Sequence, residues 1–166
     1  MRRQAATVGS ASGHLPPNLT GVLRRDPAPA QDTSYTSALI EARMMLYGAV
    51  DQLVAQTGID PRTDVDIVVT VCTVFNPCPS MASMIVNRYG LRRDVKTYHL
   101  GGMACSAGAV AVGLIKDLLK ATPNANALLV THENATAGNY DGRHVEFLGV
   151  VGLMRQGSAA MLFSNK

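Results

Sequence analysis

The run Cys105-Ser106-Ala107-Gly108-Ala109-Val110-Ala111-Val112-Gly113-Leu114-Ile115 carries no charged side chain. Small and aliphatic residues at this density read as helix, and a helix that is apolar all round has no face to give to water. It must be covered on every side. Its continuation, Lys116-Asp117-Leu118-Leu119-Lys120, turns amphipathic and reaches the surface. Gly108 and Gly113 each cost about 1 kcal/mol of helix stability against Ala, a cost that a closely packed second backbone would offset. A single sheet layer does not provide that neighbour, so the segment reads as part of a larger body.

Immediately before this helix stands Leu100-Gly101-Gly102-Met103-Ala104-Cys105. Cys105 therefore occupies a strand-to-helix corner. There the unpaired N–H groups and the positive end of the helix dipole favour thiolate over thiol. The small neighbours leave room for a substrate to reach the sulfur. This is the setting of a nucleophile, although a buried thiol at a Gly-rich corner fits the same residues.

Between Ser34 and Thr57 the apolar residues Leu39, Ala42, Leu46, Ala49, Val50, Leu53 and Val54 recur at three- and four-residue steps, which predicts a helix ended by Gly58 and Pro61. Val65 to Cys72 is β-branched and reads as a buried strand. After Asn76-Pro77-Cys78-Pro79 comes a short helix from Ser80 to Tyr89, stopped by Gly90. Strands follow at Val95–Leu100 and Asn126–His132, with the helix from Cys105 to Ala121 between them. A last strand, Gly157–Ser164, follows a polar loop and breaks the alternation, so antiparallel pairing is expected for it. The rhythm is that of an α/β fold, a mostly parallel sheet with right-handed crossover helices. Residues 1–33 hold Pro16-Pro17, Pro27 and Pro29 and read as an irregular leader, leaving 34–166 as the folded part.

Several functions are excluded by what the residues lack. The formal charge is +3 and the basic residues are scattered, so no basic stripe supports nucleic-acid binding. No Gly-x-Gly-x-x-Gly or Walker pattern follows a strand. Three cysteines without CxxC spacing give neither a disulfide framework nor a zinc site, and no metal site is expected. No run reaches the ~18 apolar residues that span a bilayer.

In order along the chain, several blocks resemble the plant 3-ketoacyl-CoA synthases, the condensing enzymes of very-long-chain fatty acid elongation. They are Val71-Cys72-Thr73-Val74-Phe75-Asn76-Pro77-Cys78-Pro79-Ser80, Met84-Ile85-Val86-Asn87-Arg88-Tyr89-Gly90-Leu91-Arg92, Leu100 to Gly108, Lys116-Asp117-Leu118-Leu119, Glu133-Asn134-Ala135-Thr136 and Arg155 to Lys166. The likeness runs from about Thr36 to Lys166. It implies the N-terminal half of a thiolase-like fold, in which the helix after the reactive cysteine lies in a central layer against its counterpart from a second half.

The resemblance also implies chemistry. Cys105 would accept an acyl group from acyl-CoA as a thioester, and decarboxylating malonyl-CoA would supply the carbanion that attacks it. These two thioesters are the expected substrates, with no cofactor. By the same resemblance Phe75, Asn76, Met103, Glu133, Asn134 and Thr136 border or support the substrate site. Ordinary loop hydrogen bonding accounts equally well for Asn134 and Thr136, and a rigid turn for Phe75-Asn76-Pro77.

The family's partner His and Asn, its membrane helices and its first strand are expected to lie outside this segment. The resemblance places the reaction at the endoplasmic reticulum membrane, while the segment itself carries no spanning run. Ala104 stands where relatives carry glycine, Val150-Val151-Gly152 where they carry Pro-Asn-Cys, and His99 where they carry another polar residue. A structural or surface role is expected of His99, His132 and His144. Pairing with a second copy, or with a condensing-enzyme subunit, is the expected association. An inert chain that only pairs is the alternative to catalysis.

Overall fold

The computed structural model describes residues 9–10, 34–134 and 156–166. Among these residues nine elements follow one another: β1 (Gly9–Ser10), α1 (Tyr35–Thr57), α2 (Pro61–Asp64), β2 (Ile67–Cys72), α3 (Met81–Tyr89), β3 (Lys96–Gly101), α4 (Ser106–Ala121), β4 (Asn126–Glu133) and β5 (Gly157–Ser164). The helix boundaries have local causes. The Ser34 hydroxyl accepts from the Ser37 N–H and the Ser80 hydroxyl from the Ser83 N–H, so each satisfies an orphan donor of the first turn. At the far ends Gly58 (φ 70°) and Gly90 (φ 61°) adopt the left-handed conformation that closes α1 and α3.

The strands form one sheet in the order β1-β5-β4-β2-β3. β2 pairs in parallel with both β3 and β4, whereas β5 runs antiparallel to β4, as the broken alternation predicts. All six residues of β2 are buried, because helices cover both of its faces. On one face Val68, Cys72, Leu128 and Val130 pack with Leu46, Leu53 and Ile85 of α1 and α3. On the other, Ile67, Val69, Val71 and Leu129 meet Ala107, Ala111 and Ile115 of α4.

Asp66 pins the amino edge of the three parallel strands. Its carboxylate accepts from the Asn126 backbone N–H at 2.8 Å and pairs with Arg92 at 2.6 Å, while its carbonyl accepts from the Lys96 N–H. Burial works to raise its carboxyl, but the bonds from Arg92 and Asn126 outweigh it and hold the group below the usual carboxylate range.

Two expectations change. Gly9–Ser10, inside the stretch read as an irregular leader without a first strand, forms a two-residue strand opposite Ala159 and Ala160 of β5. The open ladder edge of β5 supplies the pairing partners, and two residues are too few to show period-2 alternation. The charge-free helix, expected to be covered on every side, is covered on one. Ala109, Val110, Val112 and Gly113 are exposed, and nothing approaches a Cβ position at Gly108 or Gly113 within 4 Å. Within these residues the sheet bears a single helix on this face, so the outer side of α4 has no second layer.

Candidate active site

Three parallel strands end at one edge of the sheet, and in open α/β sheets the carboxyl ends of the strands are where ligands bind. β2 leads into the loop with Phe75 and Asn76, β3 into the turn with Met103 and Cys105, and β4 ends at Glu133 and Asn134. Every candidate residue that is described therefore lies at this edge or just beyond it. Thr136, His144 and Val150–Gly152 lie outside the described residues.

Cys105 is exposed and immediately precedes α4, with φ −62° and ψ −19° and no capping bond from its side chain. The turn that presents it is tight. Gly102 (φ 72°) and Ala104 (φ 51°) both adopt left-handed backbone conformations. Ala pays a steric cost there that glycine does not. Local bonds close the turn: the Ser106 hydroxyl donates to the Met103 carbonyl at 2.6 Å, and the Ala107 N–H to the Ala104 carbonyl at 3.2 Å. Met103 is 37% exposed beside the cysteine, so its side chain is open to a ligand.

The other thiol at this edge is of a different kind. Cys72 is fully buried in β2. Burial, with the Glu133 carboxylate beside it, pushes its thiol up to about 11. It stays protonated and points its S–H at Glu133 Oε1, 3.5 Å away. Cys72 is a core side chain, as its strand position predicts, and Cys78 is exposed in the loop after β2.

Glu133 is turned inward toward the β2–α3 loop. Its two oxygens accept from the Val74 N–H at 2.9 Å and the Thr73 N–H at 3.2 Å. Asn134 is fully buried and donates to the Ala38 carbonyl of α1 at 2.8 Å. Phe75 is 6% exposed and packs against the Tyr35 ring at 5.6 Å, which places it in the core rather than on an open surface. These three residues support the edge. Cys105 and Met103 face outward from it.

Asn76 is exposed and ties the β2–α3 loop to β3. Its Oδ1 lies 2.7 Å from His99 Nε2. The same oxygen would stand 2.9 Å from a Cβ at Gly101, so its amide presses on the end of β3. The second ring nitrogen of His99 lies 2.8 Å from the Thr70 hydroxyl. His99 and Thr70 are direct partners in the β2–β3 register, a pairing that neither residue announces in sequence. A hollow of about 500 Å³ between α3 and the start of β3, lined by Asn87, Arg92, Arg93 and Thr97 among others, contains none of the candidate residues. Among the described residues no three His, Cys, Asp or Glu side chains converge as metal ligands would.

3-Ketoacyl-CoA synthase 2 of Arabidopsis thaliana is 42% identical over 145 residues, which are 87% of this chain and 26% of the relative. 3-Ketoacyl-CoA synthase 4 of the same plant is 44% identical over 133 residues, 80% of this chain and 26% of the relative. The chain thus spans about a quarter of the length of the curated relatives it matches.

Among solved structures, the C-terminal type III polyketide synthase domain of Steely1 from Dictyostelium aligns with a TM-score of 0.70 at 21% identity, over 79% of this chain and 36% of that one. The 1,3,6,8-tetrahydroxynaphthalene synthase of Streptomyces coelicolor aligns with a TM-score of 0.63 at 23% identity, over 83% and 42%. These likenesses show the fold, which is thiolase-like. Residues 18–166 match the profile of the FAE1/type III polyketide synthase-like protein family, and the chain belongs to that family.

Proposed function

We propose that this chain is the cysteine-bearing part of a 3-ketoacyl-CoA synthase-like acyltransferase, with Cys105 as the acyl acceptor. One observation carries the reading. An exposed cysteine opens α4 at the carboxyl edge of the parallel strands, while Cys72 nearby is buried and kept protonated. In the first half-reaction the Cys105 thiolate attacks the carbonyl carbon of an acyl-CoA. The carbon–sulfur bond to CoA breaks, CoA leaves as thiolate, and the acyl group remains on Cys105. In the second, malonyl-CoA loses carbon dioxide and its carbanion attacks that thioester, releasing 3-ketoacyl-CoA and freeing the cysteine. By the family resemblance, the Cys105 backbone N–H helps hold the oxyanion of each tetrahedral intermediate. No cofactor enters this scheme. The setting we propose is very-long-chain fatty acid elongation at the endoplasmic reticulum membrane, although no described helix is long and apolar enough to cross a membrane.

Incubating the purified chain with stearoyl-CoA and recording its intact mass tests the acceptor. The expected result is one stearoyl adduct that hydroxylamine removes, present in Cys78→Ser and absent from Cys105→Ser. A native chain without the adduct overturns the assignment.

A second reading is favoured by the outer side of α4, where Val110 and Val112 are 47% and 45% exposed. Here the chain is an inert pairing protein whose α4 docks on a second copy or on a condensing-enzyme subunit. Light scattering on the purified chain decides it. A stable dimer that Val110→Lys disperses supports pairing, and a monomer at all concentrations refutes self-association.

A further inference from the structure

A polar chain runs beneath the cysteine corner and has no part in acyl transfer as written above. Its hydrogen-bond directions follow from the donors and acceptors present. Asn76 Nδ2 donates to the Thr73 carbonyl at 3.0 Å, which assigns the amide orientation and leaves Oδ1 as an acceptor. His99 Nε2 therefore carries the proton of the 2.7 Å contact to Asn76. Burial holds the His99 ring below its ordinary pKa, so it is neutral and Nδ1 accepts. The donor to Nδ1 is the Thr70 hydroxyl at 2.8 Å, whose other acceptor, the Tyr98 carbonyl, lies farther off at 3.4 Å. Thr70 has no exposed surface, so this bond takes the place of one to water.

The far end of the chain meets the backbone of the cysteine turn. Asn76 sits so close to Gly101 that an added Cβ would lie 2.9 Å from its Oδ1 and 3.3 Å from its Cγ. Gly101 ends β3, and the left-handed residues Gly102 and Ala104 carry the chain from there to Cys105. A shift of Asn76 thus moves the root of a turn whose own bonds are local.

We propose that His99 is a positioning residue for the cysteine corner, holding Asn76 against Gly101 and so fixing where Cys105 is presented. The consequence for catalysis rests on Cys105 being the acyl acceptor; the consequence for the turn does not.

Two substitutions separate positioning from bulk stability. His99→Gln keeps a donor at about the reach of Nε2, and so keeps the bond to Asn76. His99→Asn reaches only as far as Nδ1, and so keeps contact with Thr70 alone. The readouts are the ¹⁵N amide cross-peaks of Gly101, Gly102 and Cys105, and the rate of Cys105 acylation by stearoyl-CoA. His99→Asn and Asn76→Ala are expected to move all three cross-peaks and to slow acylation about tenfold, since small misplacements of a reacting group carry large rate penalties. His99→Gln should stay within about twofold of the native rate with the cross-peaks in place. The double variant His99→Asn/Asn76→Ala should be no slower than either single one, because the two act through one contact. Equal effects of His99→Gln and His99→Asn, or unmoved cross-peaks in His99→Asn, overturn the proposal. If the native chain takes no acyl group, the acceptor assignment fails, and the cross-peaks alone still decide the positioning role.

Discussion

Ala104 holds φ 51° one residue before the exposed cysteine, and its Cβ makes that conformation costly by about 1 kcal/mol. Glycine pays no such steric cost. Ala104→Gly is therefore expected to raise stability by up to about 1 kcal/mol, less the entropy that glycine adds to the unfolded chain, as measured by urea unfolding. It also removes a methyl group beside the sulfur, so faster acylation of Cys105 should accompany the gain. Glu133 makes the opposite case. Its carboxylate accepts from two backbone N–H groups of the β2–α3 loop and from the Cys72 thiol. Glu133→Ala leaves those donors without this partner and is expected to cost about 1–3 kcal/mol, with Glu133→Gln costing less because one acceptor oxygen remains. A loss of acylation without loss of stability would instead mark Glu133 as a group that touches substrate.

At the scale of elements, α4 ends without a left-handed glycine: Thr122 is extended, and the closing bonds come from elsewhere in the chain. Asn165, just past β5, donates through Nδ2 to the Leu119 and Thr122 carbonyls and accepts from the Ala125 N–H at 2.7 Å. Asn165→Ala is expected to cost about 1–2 kcal/mol and to speed amide hydrogen exchange in the last turn of α4 before any other helix. Uniform acceleration across α1, α3 and α4 would show that the residue does not act as a local cap. That dependence also marks what sequence reading can reach. The strands at 67–72, 96–101, 126–133 and 157–164 and the helices between them are legible because period, β-branching and Gly or Ser boundaries are written locally. The cap from Asn165, the turn of Glu133 toward the loop amides and the Thr70–His99–Asn76 chain depend on register and on contacts between distant segments. The Cys105 corner lies between these cases. Its place before a helix is local information, while the left-handed Ala104 that shapes it shows only in the folded backbone.

At the scale of the molecule, the sheet is covered unequally among the described residues, with α1 and α3 on one face and α4 alone on the other. The charge-free sequence of α4 calls for cover on every side, and among the described residues Val110 and Val112 stay exposed. On the better-covered face lies His132, which is 4% exposed. Neither ring nitrogen has a hydrogen bond of acceptable geometry to a described residue, although the Gly157 backbone lies close by. Burial pushes its pKa down to about 4, so the ring is neutral in the folded state, whereas an unfolded His titrates near 6.5. Between those values the unfolded chain binds more protons, and stability rises with pH. The contribution is therefore complete above about pH 6.5 and is lost as pH falls toward 4, up to about 3 kcal/mol. His99, also lowered by burial, acts with the same sign. Asp66, held below the usual carboxylate range, gives way only at more acid pH. Urea unfolding of His132→Leu should accordingly show a flatter stability profile between pH 4.5 and 6.5 than the native chain, with a smaller difference at pH 7.5. An unchanged slope in that window would mean that His132 titrates alike in the folded and unfolded chain, which requires its ring to gain a partner such as the nearby Gly157 backbone.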